Sequence, residues 1–162
     1  MQRRIWIAWI ALATATAACS DAHVAGNYTA AITNRADGCS IGWSSGDQAT
    51  ASMTVNQSGS DVTLVVNGLP GVLVAGVLGT NTFTGSVDGE DVDLKVVGTA
   101  PKTIGSCEFT FNGEVIASQD GDTMKGRVEY RAATNGHADC ASRERCLSTQ
   151  EFNATRPPPV TE

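Results

Sequence analysis

Aromatic residues are scarce: four Phe, three Trp and two Tyr make up 6% of the 162-residue chain. A core built from this chain must be mostly aliphatic. Long helical periodicity is missing, which argues against a helix bundle. No apolar run reaches the ~20 residues that cross a bilayer as a helix. Positive charge is also short, with 11 Lys+Arg against 17 Asp+Glu. That balance argues against nonspecific binding to nucleic acid, which sets basic residues against phosphates. There is no Cys-x-x-Cys, no phosphate-cradling loop and no nucleophile elbow. No cofactor is implied, and the chain reads as noncatalytic.

The N-terminus has a definite pattern. Arg3 and Arg4 precede the apolar run Ile5 to Leu12, and an Ala/Thr stretch continues to Ala18. A basic start, an apolar middle and a small-residue end are the layout of a secretory signal, expected over residues 1–18. Paired arginines also mark twin-arginine export. The strongly apolar middle favours the general secretory route. Without Arg3 and Arg4, nine Lys+Arg face 17 Asp+Glu, a net charge of −8. Such a charge concerns solubility rather than fold. The remaining length, about 140 residues, suits one domain.

Thr16-Ala17-Ala18-Cys19 resembles the bacterial lipobox, in which small residues precede a cysteine that takes lipid, although Thr16 stands where Leu is preferred. The resemblance implies lipidation of Cys19, with residues 19–25 as a short tether and the membrane as a partner. Ser20 after that cysteine resembles the outer-membrane sorting arrangement. Ordinary cleavage at Ala15-Thr16-Ala17 is the alternative, leaving a soluble protein. The cysteine count bears on the choice. Five cysteines leave one over in an exported protein, whereas lipid on Cys19 leaves Cys39, Cys107, Cys140 and Cys146 for two disulfides. Three pairings are open. Closeness in sequence favours Cys140–Cys146, which leaves Cys39–Cys107. The chain-entropy model assigns these about 2 and about 4 kcal/mol. A zinc or catalytic role is the rival reading.

From Gly26 the chain alternates with period two and is punctuated by Gly, Asn, Asp and Ser, the signature of strands and turns. Tyr28/Ala30/Ile32, Ala51/Met53/Val55, Val62/Leu64/Val66, Phe83/Gly85/Val87 and Val92/Leu94/Val96 form apolar rows. Cys107 to Val115, Met124 to Tyr130, and a weaker row around Phe152 and Ala154 follow. About eight hairpin-linked strands with one buried face suit an all-β, antiparallel up-and-down barrel over residues 26–156. A two-sheet sandwich is the alternative. Residues 138–147 allow one short helix, and the Pro-rich tail 157–162 ends regular structure. Glycines 85, 113 and 126 sit within strands, where they read as sites of bending or close approach.

Gly26-Asn27-Tyr28 opening the first strand, with Arg156 after the last, resembles the lipocalin and avidin-like (calycin) barrels. In lipocalins a Gly-x-Trp opens the first strand, and an arginine near the last strand packs on the Trp; here Tyr28 replaces it. Some bacterial members are outer-membrane lipoproteins. The resemblance implies an up-and-down barrel holding a small apolar ligand, and it supplies no catalytic residue. Candidate contacts are Tyr28, Phe83, Phe111 and Tyr130 on the inward rows. Leu73 and Val77 join them from the apolar segment Gly68 to Gly79, which reads as a plug at one barrel end or a flap over a pocket. Trp43 reads as a cap on the core or a contact for a partner.

Other features have plain readings beside sharper ones. Asp88 to Asp93 reads as a solvated hairpin rather than a calcium loop, because EF-hand spacing is unmet. His23, His137, Asp139 and Ser142 read as polar loop residues, although a loop-borne envelope hydrolase would use such groups. The functional expectation is a noncatalytic cell-envelope lipoprotein that binds a small apolar molecule. The alternative is an interaction or inhibitor module for another envelope protein.

Overall fold

The structure, a computed structural model, describes residues 21–157. The expected signal peptide, Cys19 and all of the tail beyond Pro157 lie outside the described residues. Nine strands and one helix follow in chain order: β1 (Gly26–Asp37), β2 (Gln48–Ser58), β3 (Asp61–Asn67), α1 (Gly68–Leu78), β4 (Thr82–Asp88), β5 (Asp91–Val96), β6 (Lys102–Ile104), β7 (Cys107–Asp120), β8 (Thr123–Thr134) and β9 (Ser148–Thr155).

Pairing runs from β1 through β5 in sequence, then from β5 to β7, β8 and β9, and β9 returns to β1. The sheet therefore closes as an eight-stranded antiparallel barrel, not a sandwich. The short β6 is not an extra stave. Asp91–Val96 of β5 pair with Ser118–Gly113 of β7, and Lys102–Ile104 of β6 pair with Phe109–Cys107. The two strands share one edge of β7, interrupted over residues 97–101.

Alternation places the expected rows inside. Ala30, Met53, Leu64, Phe83, Leu94, Val115, Met124 and Ala154 are all buried. Lys125, Arg127, Glu129 and Arg131 of β8 belong to the wet side, where Glu129 bonds both Arg127 and Arg131. The strand glycines mark close approaches. A Cβ on Gly85 would lie 2.1 Å from the Asp93 carbonyl oxygen, and one on Gly113 would lie 2.9 Å from the Phe83 ring. Larger residues there would push neighbouring walls apart.

The two barrel ends differ. One carries only tight hairpins, at Gly59-Ser60, Gly89-Glu90 and Gly121-Asp122. Residues 21–25, expected as a tether, pack against this end. Val24 is fully buried, its N–H donates to Gln57 Oε1 (2.7 Å), and the Ala22 N–H donates to the Gly89 carbonyl (2.7 Å). Arg156 completes the closure. Its guanidinium lies 5.7 Å from the Tyr28 ring centre and donates to the Ala25 carbonyl at 2.6 Å. Its Nε donates to Asp122 at 2.9 Å. The opposite end carries all the long connections: residues 38–47, α1, residues 97–106, and residues 135–147.

The disulfides correct the expected pairing. They join Cys39 to Cys146 and Cys107 to Cys140. The strand ladders explain the choice. Asp37 pairs with Ser148 across β1 and β9, so continuing the antiparallel register sets residue 39 opposite residue 146. Phe109 pairs with Thr134 at the end of β7 and β8, so Cys107 meets the chain just beyond β8, where Cys140 lies. Closeness in sequence had no part in it. The expected helix over 138–147 shrinks to a single 3-10 turn, Ala138–Cys140. Arg145 adopts φ 59°, a left-handed conformation that breaks any helix before Cys146.

Candidate apolar binding site

Between α1, the 41–43 loop and the loop-end halves of the strands lies a cavity of about 310 Å³. None of the residues lining it is charged. Its floor is aliphatic and aromatic, with Met53, Leu64, Val115 and Phe152 rising from four strands. Its roof is α1, through Pro70, Leu73, Val74 and Val77. Its polar content sits on one side. The Tyr130 hydroxyl donates to Gln150 Oε1 (2.9 Å), and Gln150 Nε2 donates to Asn34 Oδ1 (2.7 Å). Burial pushes the Tyr130 hydroxyl well above the ordinary phenol range, so it stays a neutral donor.

The helix forms where the alternation of strands fails. Residues 68–78, Gly-Leu-Pro-Gly-Val-Leu-Val-Ala-Gly-Val-Leu, carry no charge and no polar side chain. Pro70 falls in the first turn, where its missing N–H costs nothing. Gly79 closes the helix at φ 86°, donating its N–H to the Ala75 carbonyl. Both ends are pinned. A Cβ on Gly71 would lie 2.1 Å from the Val66 carbonyl oxygen. The Leu78 carbonyl accepts from the Thr99 N–H (2.7 Å), and the Leu78 side chain is fully buried. The segment is thus a seated plug over the barrel end.

The loop on the other side of the mouth is organised by Asp37. Its carboxylate accepts from the backbone N–H of Ile41 (2.7 Å), Gly42 (2.9 Å) and Trp43 (3.4 Å), and from the Ser148 hydroxyl (2.8 Å). Partial burial opposes the charge. The N–H groups of Gly42 and Ile41, the Ser148 hydroxyl and the Trp43 N–H outweigh it, holding the carboxyl below its ordinary value. Trp43 packs edge-on against Tyr130, ring centres 5.5 Å apart, and lines the cavity.

Of the six candidate contacts, Leu73, Val77, Phe83 and Tyr130 line this cavity and Tyr28 and Phe111 do not. Tyr28 lies at the closed end, where its hydroxyl donates to the Val24 carbonyl (2.9 Å). Phe111 is buried beside Phe109, ring centres 5.4 Å apart. Sequence reasoning missed Asn34, Ile41, Gln150 and the organising Asp37. The inward rows were legible, but not which half of each row faces the long loops. Asp37 sits where alternation ends at a register shift between Asn34 and Asp37, so no periodic signal marks it.

The other sharp readings meet ordinary geometry. Asp88 and Asp91 pair across the β4–β5 hairpin. His137 Nδ1 accepts from the Asp139 N–H (3.2 Å), and the Asp139 carboxylate accepts from the Ser106 N–H (2.8 Å). These groups fold a loop. Among the described residues no helix is long and apolar enough to cross a membrane, and no cluster of His, Cys, Asp and Glu is arranged to hold a metal.

The chain matches no family model, no curated protein and no solved structure. What the fold and the site define is a class: a closed eight-stranded barrel, sealed at one end, with an uncharged cavity at the other.

Proposed function

We propose that this protein is a noncatalytic cell-envelope barrel, held to a membrane by lipid on Cys19, that carries a small uncharged apolar molecule in its loop-end cavity. The observation that carries the reading is the cavity itself: about 310 Å³, walled by aliphatic and aromatic side chains, with no charge on its lining. Small-molecule sites are concave and mostly apolar, and run from about 300 to 1,000 Å³. This one falls at the small end. A charged ligand would lose its hydration with no partner to replace it. The polar edge at Tyr130, Gln150 and Asn34 can take one hydrogen-bonding group of the ligand. The two disulfides favour an oxidising compartment. Arg156 over Tyr28 favours kinship with the calycin barrels.

The test is native mass spectrometry on residues 20–162 purified from an oxidising bacterial compartment, followed by titration with N-phenyl-1-naphthylamine, an uncharged apolar fluorophore. We expect a stoichiometric passenger or uptake of one equivalent of the probe. Val74→Trp, which fills the cavity, should weaken uptake by at least about tenfold. Leu73→Asn with Val77→Asn should weaken it too. A clean mass with no probe uptake would overturn the reading and turn the search to protein partners.

A further inference from the structure

Five large apolar side chains stand exposed on the described surface: Leu69, Val72, Leu73, Val97 and Ile104. All five lie at the loop end of the barrel. Leu69, Val72 and Leu73 make one stripe of α1, at 71%, 67% and 64% exposure, and Gly76 continues it. Val97 and Ile104 flank the interruption between β5 and β6. That segment is tied to α1: the Thr99 N–H donates to the Leu78 carbonyl, and Lys102 Nζ donates to the Gly76 carbonyl (3.3 Å). Leu73 is both exposed and part of the cavity wall, so the outer stripe runs into the mouth without a polar break.

Helix α1 is therefore apolar on two faces. One covers the cavity and the other has no partner among the described residues. We propose that the second face is a docking surface for a lipid bilayer. It would seat the cavity mouth at the hydrocarbon boundary and let an apolar molecule pass between bilayer and cavity without crossing water. Two observations favour lipid as the occupant. First, no charged residue occurs from Val62 to Val87, which takes in all of β3 but Asp61, the whole of α1 and all of β4 but Asp88. An uncharged aliphatic surface complements hydrocarbon and the net-neutral headgroups of a zwitterionic bilayer. Lys102 stands beside the helix, bonded to the Gly76 carbonyl, and its long stem would let its ammonium reach headgroup phosphates while the helix sinks below them. Second, the patch has neither Trp, Tyr nor Arg, the residues that anchor protein interfaces. A second copy fits poorly, because each copy brings a net charge of −8 once residues 1–18 are removed.

The exchange route rests on the carrier reading above, whereas docking itself does not, and the experiment separates the two. Residues 20–162 contain every element and both disulfides of the barrel, and this domain is sedimented with phosphatidylcholine vesicles. The wild-type domain should sediment with them. Trp43, the sole Trp after residue 18, should shift its emission to shorter wavelength, because it lines the mouth. Leu69→Asp with Val72→Asp should cut vesicle binding by on the order of tenfold or more. Leu69→Gln with Val72→Gln should do the same without new charge. Neither pair touches the cavity lining, so both variants should keep the probe uptake of the wild type. Absence of vesicle binding by the wild-type domain, or equal binding by the variants, would overturn the proposal. So would concentration-dependent dimerisation that both variants abolish, which would make the stripe a self-contact. Loss of probe uptake with intact vesicle binding would overturn the carrier reading alone.

Discussion

One carboxylate sets the shape of the cavity mouth. Asp37 collects three backbone N–H groups from Ile41, Gly42 and Trp43, and the Ser148 hydroxyl that it bonds in turn accepts the Cys39 N–H at 2.9 Å. The loop needs such a tether, since Ser40, Gly42 and Gly46 all adopt positive φ. Hydrogen bonds to a charged group contribute about 1.5–3 kcal/mol each when buried, and less at this half-exposed site. Because folding lowers the carboxyl below its ordinary value of 3.8, its stabilisation is complete above that pH. It is lost as pH falls through the lowered value. The Trp43 emission and the loop amide resonances should therefore hold steady down to about pH 4 and change below it. Asp37→Asn should remove that acid step and loosen the loop at neutral pH, with a stability loss of about 1–2 kcal/mol in urea unfolding. An acid transition unchanged in the variant would assign the step to another group. Glu129 is the obvious rival, because hydrogen bonds from Arg127, and then Arg131, also lower its carboxyl.

At the scale of elements, the strands were readable and the links between them were not. Period-two alternation located the rows of β1 through β5 and of β7 to β9, because burial on one face forces it. The same alternation hid the split of one stave into β5 and β6. Val97 to Pro101 looks in sequence like any turn, and only pairing to β7 shows that both pieces share an edge. The cysteine pairs were misread for a similar reason. Register across β1 and β9 brings residue 39 to residue 146, and no local spacing encodes that register. The apolar run from Gly68 was recognised as a break in the pattern. Three Gly, Pro70 and three Val among its eleven residues give it little intrinsic helix propensity, and its seat over the barrel end depends on Val66, Asn81 and Thr99. Nonreducing peptide mapping should recover Cys39 joined to Cys146 and Cys107 joined to Cys140. The loops they close span 107 and 33 residues. In the chain-entropy model those are worth about 5 and about 4 kcal/mol. Cys39→Ser with Cys146→Ser should lower the melting temperature by roughly 10–20 °C. A fall no larger than that from removing the shorter loop would count against the entropic account.

Across the whole molecule, the closure made by Arg156 and the candidate binding cavity sit at opposite ends. The sealed end joins first strand to last. Arg156, after β9, packs on Tyr28 of β1, bonds Ala25 of the leader and reaches Asp122 in the β7–β8 turn. The half-buried guanidinium thus ties the start of the barrel, residues 25–28, to the β7–β8 turn, remote from it in sequence. Cys19, expected to carry lipid, stands two residues before Asp21 in sequence, and the Asp21 carboxylate accepts the Gly89 N–H at this same end. The separation of ends makes a sharp prediction. Arg156→Ala should destabilise the barrel by about 2–4 kcal/mol, since it removes charged hydrogen bonds and packing on Tyr28 together. It should leave affinity for the apolar probe within about twofold, a difference of roughly 0.4 kcal/mol. Val74→Trp should do the converse, abolishing uptake at little cost in stability because it fills space already empty. Denaturant unfolding and probe titration on the same two variants measure both quantities. If Arg156→Ala weakened probe binding as much as it weakened the fold, the closed end would be shaping the cavity through the length of the barrel. The division of labour between the two ends would then be wrong.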